Sequence, residues 1–151
     1  MAPRRRVSRA RALAAGVGTA PAYAVTRSAI PREPAPWVLL VEDDEAVASA
    51  LQFALTIEGW RVDVRTSGEA LLAAPVPAGS VCLVIDVQLP GISGLAALAE
   101  LRRRGSRTPA ILITSDPPPA TVRQAARLGA RIVEKPLIGG ELLDAIRAHL
   151  A

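Results

Sequence analysis

Residues 81–94 read Val81-Cys82-Leu83-Val84-Ile85-Asp86-Val87-Gln88-Leu89-Pro90-Gly91-Ile92-Ser93-Gly94. Val81–Ile85 is an unbroken apolar run of strand length, the pattern of a strand buried on both faces. A carboxylate, Asp86, follows it directly. From Gly94 to Arg104 the period changes, and Leu95, Leu98 and Leu101 mark one side of a helix. One strand, one acid and one helix make a β-α unit. The fold depends on whether the unit repeats.

It does, on both sides. Upstream, Trp37–Val41 is another apolar run, followed by helical spacing at Val47, Leu51, Ala54 and Leu55 from Ala46 to Glu58, which Gly59 stops. Arg61–Arg65 alternates with period two, as a more exposed strand does. Ser67–Ala74 is a short helix with Ser67 as N-cap and Pro75 at its end. Downstream come a buried strand at Ala110–Ile113, a small-residue helix at Ala120–Leu128 and a brief strand at Arg131–Val133. A last helix runs from Gly140 to the chain end, with Leu142, Leu143, Ile146 and Leu150 as its stripe. Five β-α units in series predict an α/β fold, a doubly wound parallel sheet of five strands with helices on both faces and right-handed crossovers.

Composition agrees with one packed domain. Half of the 151 residues are hydrophobic, which suits a globular core, and aromatics are only 3%, so Ala, Val, Leu and Ile must build it. One cysteine, Cys82, excludes an internal disulfide framework and a Cys-cluster metal site. Its mid-strand position assigns it to the core. One histidine, His149, excludes a two-histidine mechanism. It falls in the last helical turn, where an imidazolium suits the helix dipole. No stretch approaches the roughly 18 apolar residues needed to cross a bilayer.

The net charge of +4 is unevenly placed. Residues 1–36 carry seven arginines and one acid, for +6, while residues 37–151 carry eleven basic and thirteen acidic residues, for −2. Residues 1–36 therefore read as a disordered basic leader and linker, ending in Pro31, Pro34 and Pro36. Two other readings stand beside it. One is a contact tail for phosphates. The other is a targeting signal with Ala22-Tyr23-Ala24 as a cleavage-like site, although its apolar stretch is interrupted by Gly16 and Gly18.

In doubly wound sheets, ligands gather at the carboxyl ends of the strands. Directly after the first strand comes Glu42-Asp43-Asp44-Glu45. Asp86 follows the third, Thr114-Ser115 the fourth and Glu134-Lys135-Pro136 the fifth. Carboxylates converging at one edge repel one another unless a cation joins them. Oxygen donors without His or Cys select a hard divalent ion, foremost Mg²⁺. A lysine and a hydroxyl beside a metal-bound carboxylate suit a phosphoryl group, and an aspartate can itself be the nucleophile. Each residue alone has a blander reading. An acidic pair caps a helix, as Asp44 could, and an Asp or Thr after a strand forms a turn. Only their joint occurrence at successive strand ends is specific.

Four segments resemble the receiver domains of response regulators, the CheY-like family, and in particular the receivers of FixJ-type regulators. They are Val38-Leu39-Leu40-Val41-Glu42-Asp43-Asp44, Leu83 to Gly94, Ile111-Leu112-Ile113-Thr114-Ser115 and Val133-Glu134-Lys135-Pro136. The resemblance covers residues 37–151. It implies a flavodoxin-like, three-layer α/β/α receiver and a cytoplasmic signalling domain of a two-component system, not an enzyme. It implies that Asp86 accepts a phosphoryl group from a sensor histidine kinase or phosphotransfer protein. Mg²⁺ would be held by Asp43, by Glu42 through water, by Asp86 and by the backbone carbonyl of Gln88. Lys135 would pair with a phosphoryl oxygen, with Thr114 and Ser115 beside it, and Thr114 would move on phosphorylation. The Lys135–Pro136 peptide would be cis. Output would pass to a partner protein through the face made by the fourth helix, fifth strand and fifth helix.

The chain departs from the family at three points. Gly129–Lys135 is one residue shorter than usual. Ile132 stands where an aromatic ring normally swings inward with Thr114. Asp116-Pro117-Pro118-Pro119 fills the loop before the fourth helix, and prolines stiffen such a loop. A muted response on the output face is expected. Gln88 and Asp116 sit where side chains modulate water access. No helix-turn-helix follows the fifth helix, so a stand-alone regulator is expected, without sequence-specific DNA binding. A FixJ-type receiver fragment and a phosphorylation-independent scaffold are the alternatives. A Mg²⁺-dependent phosphohydrolase would place a second acid two residues after the nucleophile, where this chain has Gln88.

Overall fold

The structure is a computed structural model that describes residues 35–149. The expected leader lies outside the described residues except for Ala35 and Pro36, as do Leu150 and Ala151. The elements are β1 (Trp37–Val41), α1 (Glu45–Ile57), β2 (Arg61–Arg65), α2 (Gly68–Ala73), β3 (Ser80–Asp86), α3 (Gly94–Arg103), β4 (Ala110–Thr114), α4 (Pro119–Arg127), β5 (Ala130–Glu134) and α5 (Glu141–Arg147). The strands form one sheet in the order β2-β1-β3-β4-β5, and every adjacent pair is parallel. The chain leaves β1 toward β2 on one side and then returns to β3 on the other. The topological switch point therefore lies between the carboxyl ends of β1 and β3.

The apolar strands are uniformly hydrophobic because both of their faces are covered. Leu39, Val41, Leu83, Ile85 and Leu112 face one way and pack with Leu71 of α2, Leu95, Leu98 and Leu101 of α3, and Ala125 of α4. Val38, Leu40, Cys82, Val84, Ile111 and Ile113 face the other way, against Leu55 of α1 and Leu142, Ala145 and Ile146 of α5. The result is the expected three-layer sandwich. Each fully buried Leu or Ile contributes about 1.5–3 kcal/mol through lost apolar surface. The edge strands β2 and β5 are only partly covered.

Local signals set the helix starts. Asp44, Ser67 and Ser93 each accept the backbone N–H three residues on, at 3.0, 3.0 and 3.1 Å, and so cap α1, α2 and α3. Asp44 thus serves as a helix cap. Gly59, at φ +91°, ends α1.

Three boundaries differ from expectation. Pro119 is the first residue of α4, where its missing N–H costs nothing, so only Pro117 and Pro118 remain in the loop. The last helix begins at Glu141 and ends at Arg147, with Gly140 as its N-cap residue and no side-chain cap. His149 lies just beyond it, its N–H donating to the Ile146 carbonyl at 3.0 Å, rather than in a helical turn. Each remaining element lies within one or two residues of its expected span, the scatter that fraying ends produce.

Candidate functional site

Among the described residues, the buried polar or charged side chains are Glu42, Asp86 and Thr114, exposed by only 2%, 3% and 4%. Glu42 directly follows β1, Asp86 ends β3 and Thr114 ends β4. All three lie at the carboxyl edge, beside the switch point. Burying polar groups costs free energy unless they are paired, so this concentration at one edge marks a site rather than a core.

Lys135, just after β5, reaches across the strand ends. Its Nζ donates to Asp86 Oδ2 at 2.8 Å and stands 3.7 Å from Glu42 Oε2. The N–H of Lys135 donates to the Thr114 carbonyl at 2.9 Å, which fixes where the side chain starts. The Lys135–Pro136 peptide is cis. Burial disfavours the ammonium, but the hydrogen bond to Asp86 and the nearby carboxylates outweigh it and lift the Lys135 pKa above its ordinary value.

Glu42 is the least satisfied member. Its Oε1 accepts the N–H of Asp44 at 3.1 Å, while its Oε2 is buried without a hydrogen-bond partner. Burial raises its pKa first of all, and the nearby Asp86 adds to the rise, against the lowering by the Asp44 N–H and Lys135. Carboxylate oxygens of Glu42, Asp43 and Asp86 lie within 4.8 Å of one another, Asp43 from an exposed position. Three hard oxygen donors and an unpartnered buried carboxylate oxygen fit a divalent cation such as Mg²⁺.

The β3–α3 connection shapes the other side of the site. Gln88 donates its N–H to Asp86 Oδ1 at 2.9 Å. Val87 donates to the Ile113 carbonyl at 2.9 Å, and Gly94 to the Val87 carbonyl at 3.0 Å. A Cβ on Gly94 would collide with the Asp86 carbonyl and approach Ile85 Cγ2 to 2.7 Å, so only glycine lets α3 start this close to the end of β3.

The remaining candidates are placed less centrally. The hydroxyl of Thr114 is directed at the Ser115 carbonyl, 3.5 Å away. Ser115 is exposed and lines a groove of ≈ 730 Å³ with Lys135, Pro136, Leu137 and the α1 residues Ala46, Val47, Ala50 and Leu51. Ile132 pairs with Leu112 across β4–β5 and packs, half-buried, into the core cluster beneath α2, α3 and α4. Asp116 sits in the β4–α4 loop at φ +44°, a conformation its short polar side chain tolerates.

Two features escaped the sequence pattern. On α1, Phe53 and Ile57 are 69% and 68% exposed, one turn apart, in line with exposed Ala46 and Ala50. The signal was an α1 more apolar than one buried face requires. The other is Glu69, whose Oε1 accepts the N–H of Ile92 at 2.8 Å, across 23 residues of sequence.

The response regulator receiver domain family matches residues 38–147. The transcriptional regulatory protein FixJ of Azorhizobium caulinodans is 40% identical over 114 residues, covering 75% of this chain and 54% of that protein. The transcriptional regulatory protein YkoG of Bacillus subtilis is 42% identical over 115 residues, covering 75% and 50%. The chain thus spans about half the length of these curated relatives. Among solved structures, a CheY-like receiver domain protein from Methanospirillum hungatei superposes with a TM-score of 0.71 at 22% identity, covering 77% of this chain and 94% of that one. The chemotaxis protein CheY4 of Vibrio cholerae does so with 0.69 at 22% identity, covering 76% and 98%. Those two likenesses concern the fold. With the family match spanning all five strands and the acidic edge, the chain belongs to the response regulator receiver domains of two-component systems.

Proposed function

We propose that the chain accepts a phosphoryl group on Asp86 from a sensor histidine kinase or phosphotransfer protein, with Mg²⁺, and signals by docking a partner protein. The observation that carries this reading is Asp86 itself, 3% exposed at the end of β3, with Lys135 Nζ at 2.8 Å and two further carboxylates beside it. An Asp86 carboxylate oxygen attacks phosphorus; a P–O bond forms as the P–N bond to the donor imidazole breaks. Asp43, Glu42, Asp86 and the Gln88 carbonyl would hold Mg²⁺, which supplies charge neutralisation for the transferred oxygens. Lys135 would turn from Asp86 to a phosphoryl oxygen and hold it as a point charge. Thr114, buried at the end of β4 with Ser115 beside it, would turn its hydroxyl toward that group.

The donor must approach the carboxyl edge, and the apolar stripe Ala46, Ala50, Phe53 and Ile57 runs along α1 away from it. Exposed apolar residues in a line suit a docking surface for the donor. Output would use the α4–β5–α5 face. Because Ile132 is already packed into the core cluster and the loop before α4 carries Pro117 and Pro118, the change there on phosphorylation is expected to be small. A cytoplasmic setting follows from a histidine-kinase donor, and no helix among the described residues is long and apolar enough to cross a membrane.

Those same features support a second reading, a scaffold that binds partners whether or not Asp86 is phosphorylated. The two readings part in one experiment. A phosphorylated histidine kinase is mixed with the wild type and with Asp86→Asn, and partner affinity is measured with and without a phosphoryl mimic. Transfer to the wild type alone, with a change in affinity, supports the first. Unchanged affinity supports the scaffold, and transfer to Asp86→Asn excludes Asp86 as acceptor.

A further inference from the structure

The β3–α3 connection, residues 87–93, carries Gln88 and leads directly from Asp86. Its inner half is well fastened: the N–H groups of Val87, Gln88 and Leu89 are all used, and the Leu89 side chain is buried. Ser93 is held by its cap on α3, but Pro90–Ile92 have fewer ties. Pro90 has no N–H, and Gly91 takes φ +76°, a conformation glycine reaches without a Cβ penalty. The hydrogen bond that ties Pro90–Ile92 to α2 is Ile92 N–H to Glu69 Oε1, 2.8 Å.

The bond is part of an interlock between α2 and the connection. A Cβ on Gly91 would run into the Glu69 carboxylate, so that carboxylate lies flat against bare backbone. A Cβ on Gly68 would come within 2.7 Å of Ile92 Cγ1 and 3.2 Å of Ala97 Cβ, so Ile92 is seated where only a glycine leaves room. Two glycines, one on each side, open the space that a single carboxylate and a single isoleucine fill. The Ile92 N–H is the leading reason that the Glu69 carboxyl lies below its ordinary pKa. A glutamate on the first turn of a surface helix would otherwise be free in solvent.

We infer that Glu69 is a positioning residue: through the Ile92 N–H it holds the β3–α3 connection so that the Gln88 carbonyl and Asp86 stay in place to bind a divalent cation. The inference rests on the Mg²⁺ reading of the acidic edge. Glu69 itself touches neither the cation nor the phosphoryl group. What it supplies is pre-organisation, so its loss shows in cation affinity and loop order and leaves the chemistry at saturation unchanged.

The test uses the full chain with Glu69→Ala and Glu69→Gln, the second retaining an acceptor oxygen without the charge. In the metal-free protein, amide exchange at Gln88–Ser93 should quicken about fivefold in Glu69→Ala, the loss of roughly one hydrogen bond, and stay near wild type in Glu69→Gln. Calorimetric Mg²⁺ titration should show affinity weakened about fivefold in Glu69→Ala and within about twofold of wild type in Glu69→Gln. Labelling by acetyl phosphate at saturating Mg²⁺ should be equal in all three. Wild-type exchange and affinity in Glu69→Ala would overturn the inference, and so would a Glu69→Gln as weak as Glu69→Ala, since charge and not the acceptor would then be the cause. Failure of the wild type to bind Mg²⁺ would instead strike the reading of the acidic edge, and with it the cation role of Glu69. The exchange measurement would then still decide whether Glu69 orders the connection.

Discussion

At the amino end of the sheet, Arg102 of α3 donates to three carbonyls: Leu128 at 2.9 Å, Ser106 at 3.2 Å and Thr108 at 2.7 Å. At the carboxyl end, Glu42 and Asp86 are buried side by side with one lysine between them and one oxygen of Glu42 without a hydrogen bond. Both ends draw charge out of water. Burial pulls the Arg102 pKa down and pushes the Glu42 pKa up, each against its charged form. The amino end meets the cost with backbone acceptors that join α3, α4 and the loop into β4. The carboxyl end leaves part of the cost standing, and the proposed cation would relieve it. A fold held together at one end of its sheet can carry an unrelieved charge cluster at the other.

The largest expected effect lies at the amino end. Arg102→Ala removes the donors of three carbonyls and should lower stability by about 3 kcal/mol in denaturant melts, while labelling of Asp86 per folded molecule is unchanged. Lost labelling at full stability would break the contrast between the ends. Next comes Phe53→Asp, on the exposed stripe of α1. Transfer from a phosphorylated kinase should slow roughly thirtyfold, equivalent to about 2 kcal/mol of docking energy, while labelling by acetyl phosphate and thermal stability stay near wild type. Equal loss with both donors would place Phe53 in folding rather than docking.

Glu42→Gln acts at the carboxyl end. Relieving the charge crowding should stabilise the metal-free protein by about 1 kcal/mol and remove much of the stabilisation that Mg²⁺ confers, read as melting temperature with and without the metal. The smallest effect is a pH dependence. With its folded pKa above glutamate's ordinary 4.5, Glu42 binds its proton more tightly folded than unfolded. Its penalty is absent below the ordinary value and grows as pH rises to the raised one. The gap between melting temperatures in Mg²⁺ and in chelator should therefore narrow as pH falls from neutrality toward 5. A gap that widens on acidification would contradict the assignment of Glu42.

The fold was legible because fully covered parallel strands must be apolar throughout. The runs at Trp37–Val41, Val81–Ile85 and Ala110–Ile113 admit few other readings, and the acids and hydroxyl that follow them mark where each run stops. Local caps were legible for a different reason: the Ser67 bond lies within one turn. The contacts of Glu69 with Ile92 and of Arg102 with Leu128 were not, since each joins a side chain to a backbone group more than twenty residues away, and backbone groups leave no trace in side-chain periodicity. The end of α5 was overestimated because Leu150 continued the apolar stripe, and the stripe does not report where backbone bonding ends. The burial of Thr114 beside Asp86 followed only once strand order placed β3 next to β4.

On this reading the carboxyl edge takes up a cation and, with it, a phosphoryl group on Asp86. The most direct measurement is intact and peptide mass spectrometry of the full chain after incubation with acetyl phosphate, in Mg²⁺ and in chelator, with Asp86→Asn alongside. The expected result is one phosphoryl group per chain, mapped to Asp86, formed in Mg²⁺ and absent from both the chelated sample and the variant. Incorporation that persists in Asp86→Asn, or that proceeds equally in chelator, would contradict it.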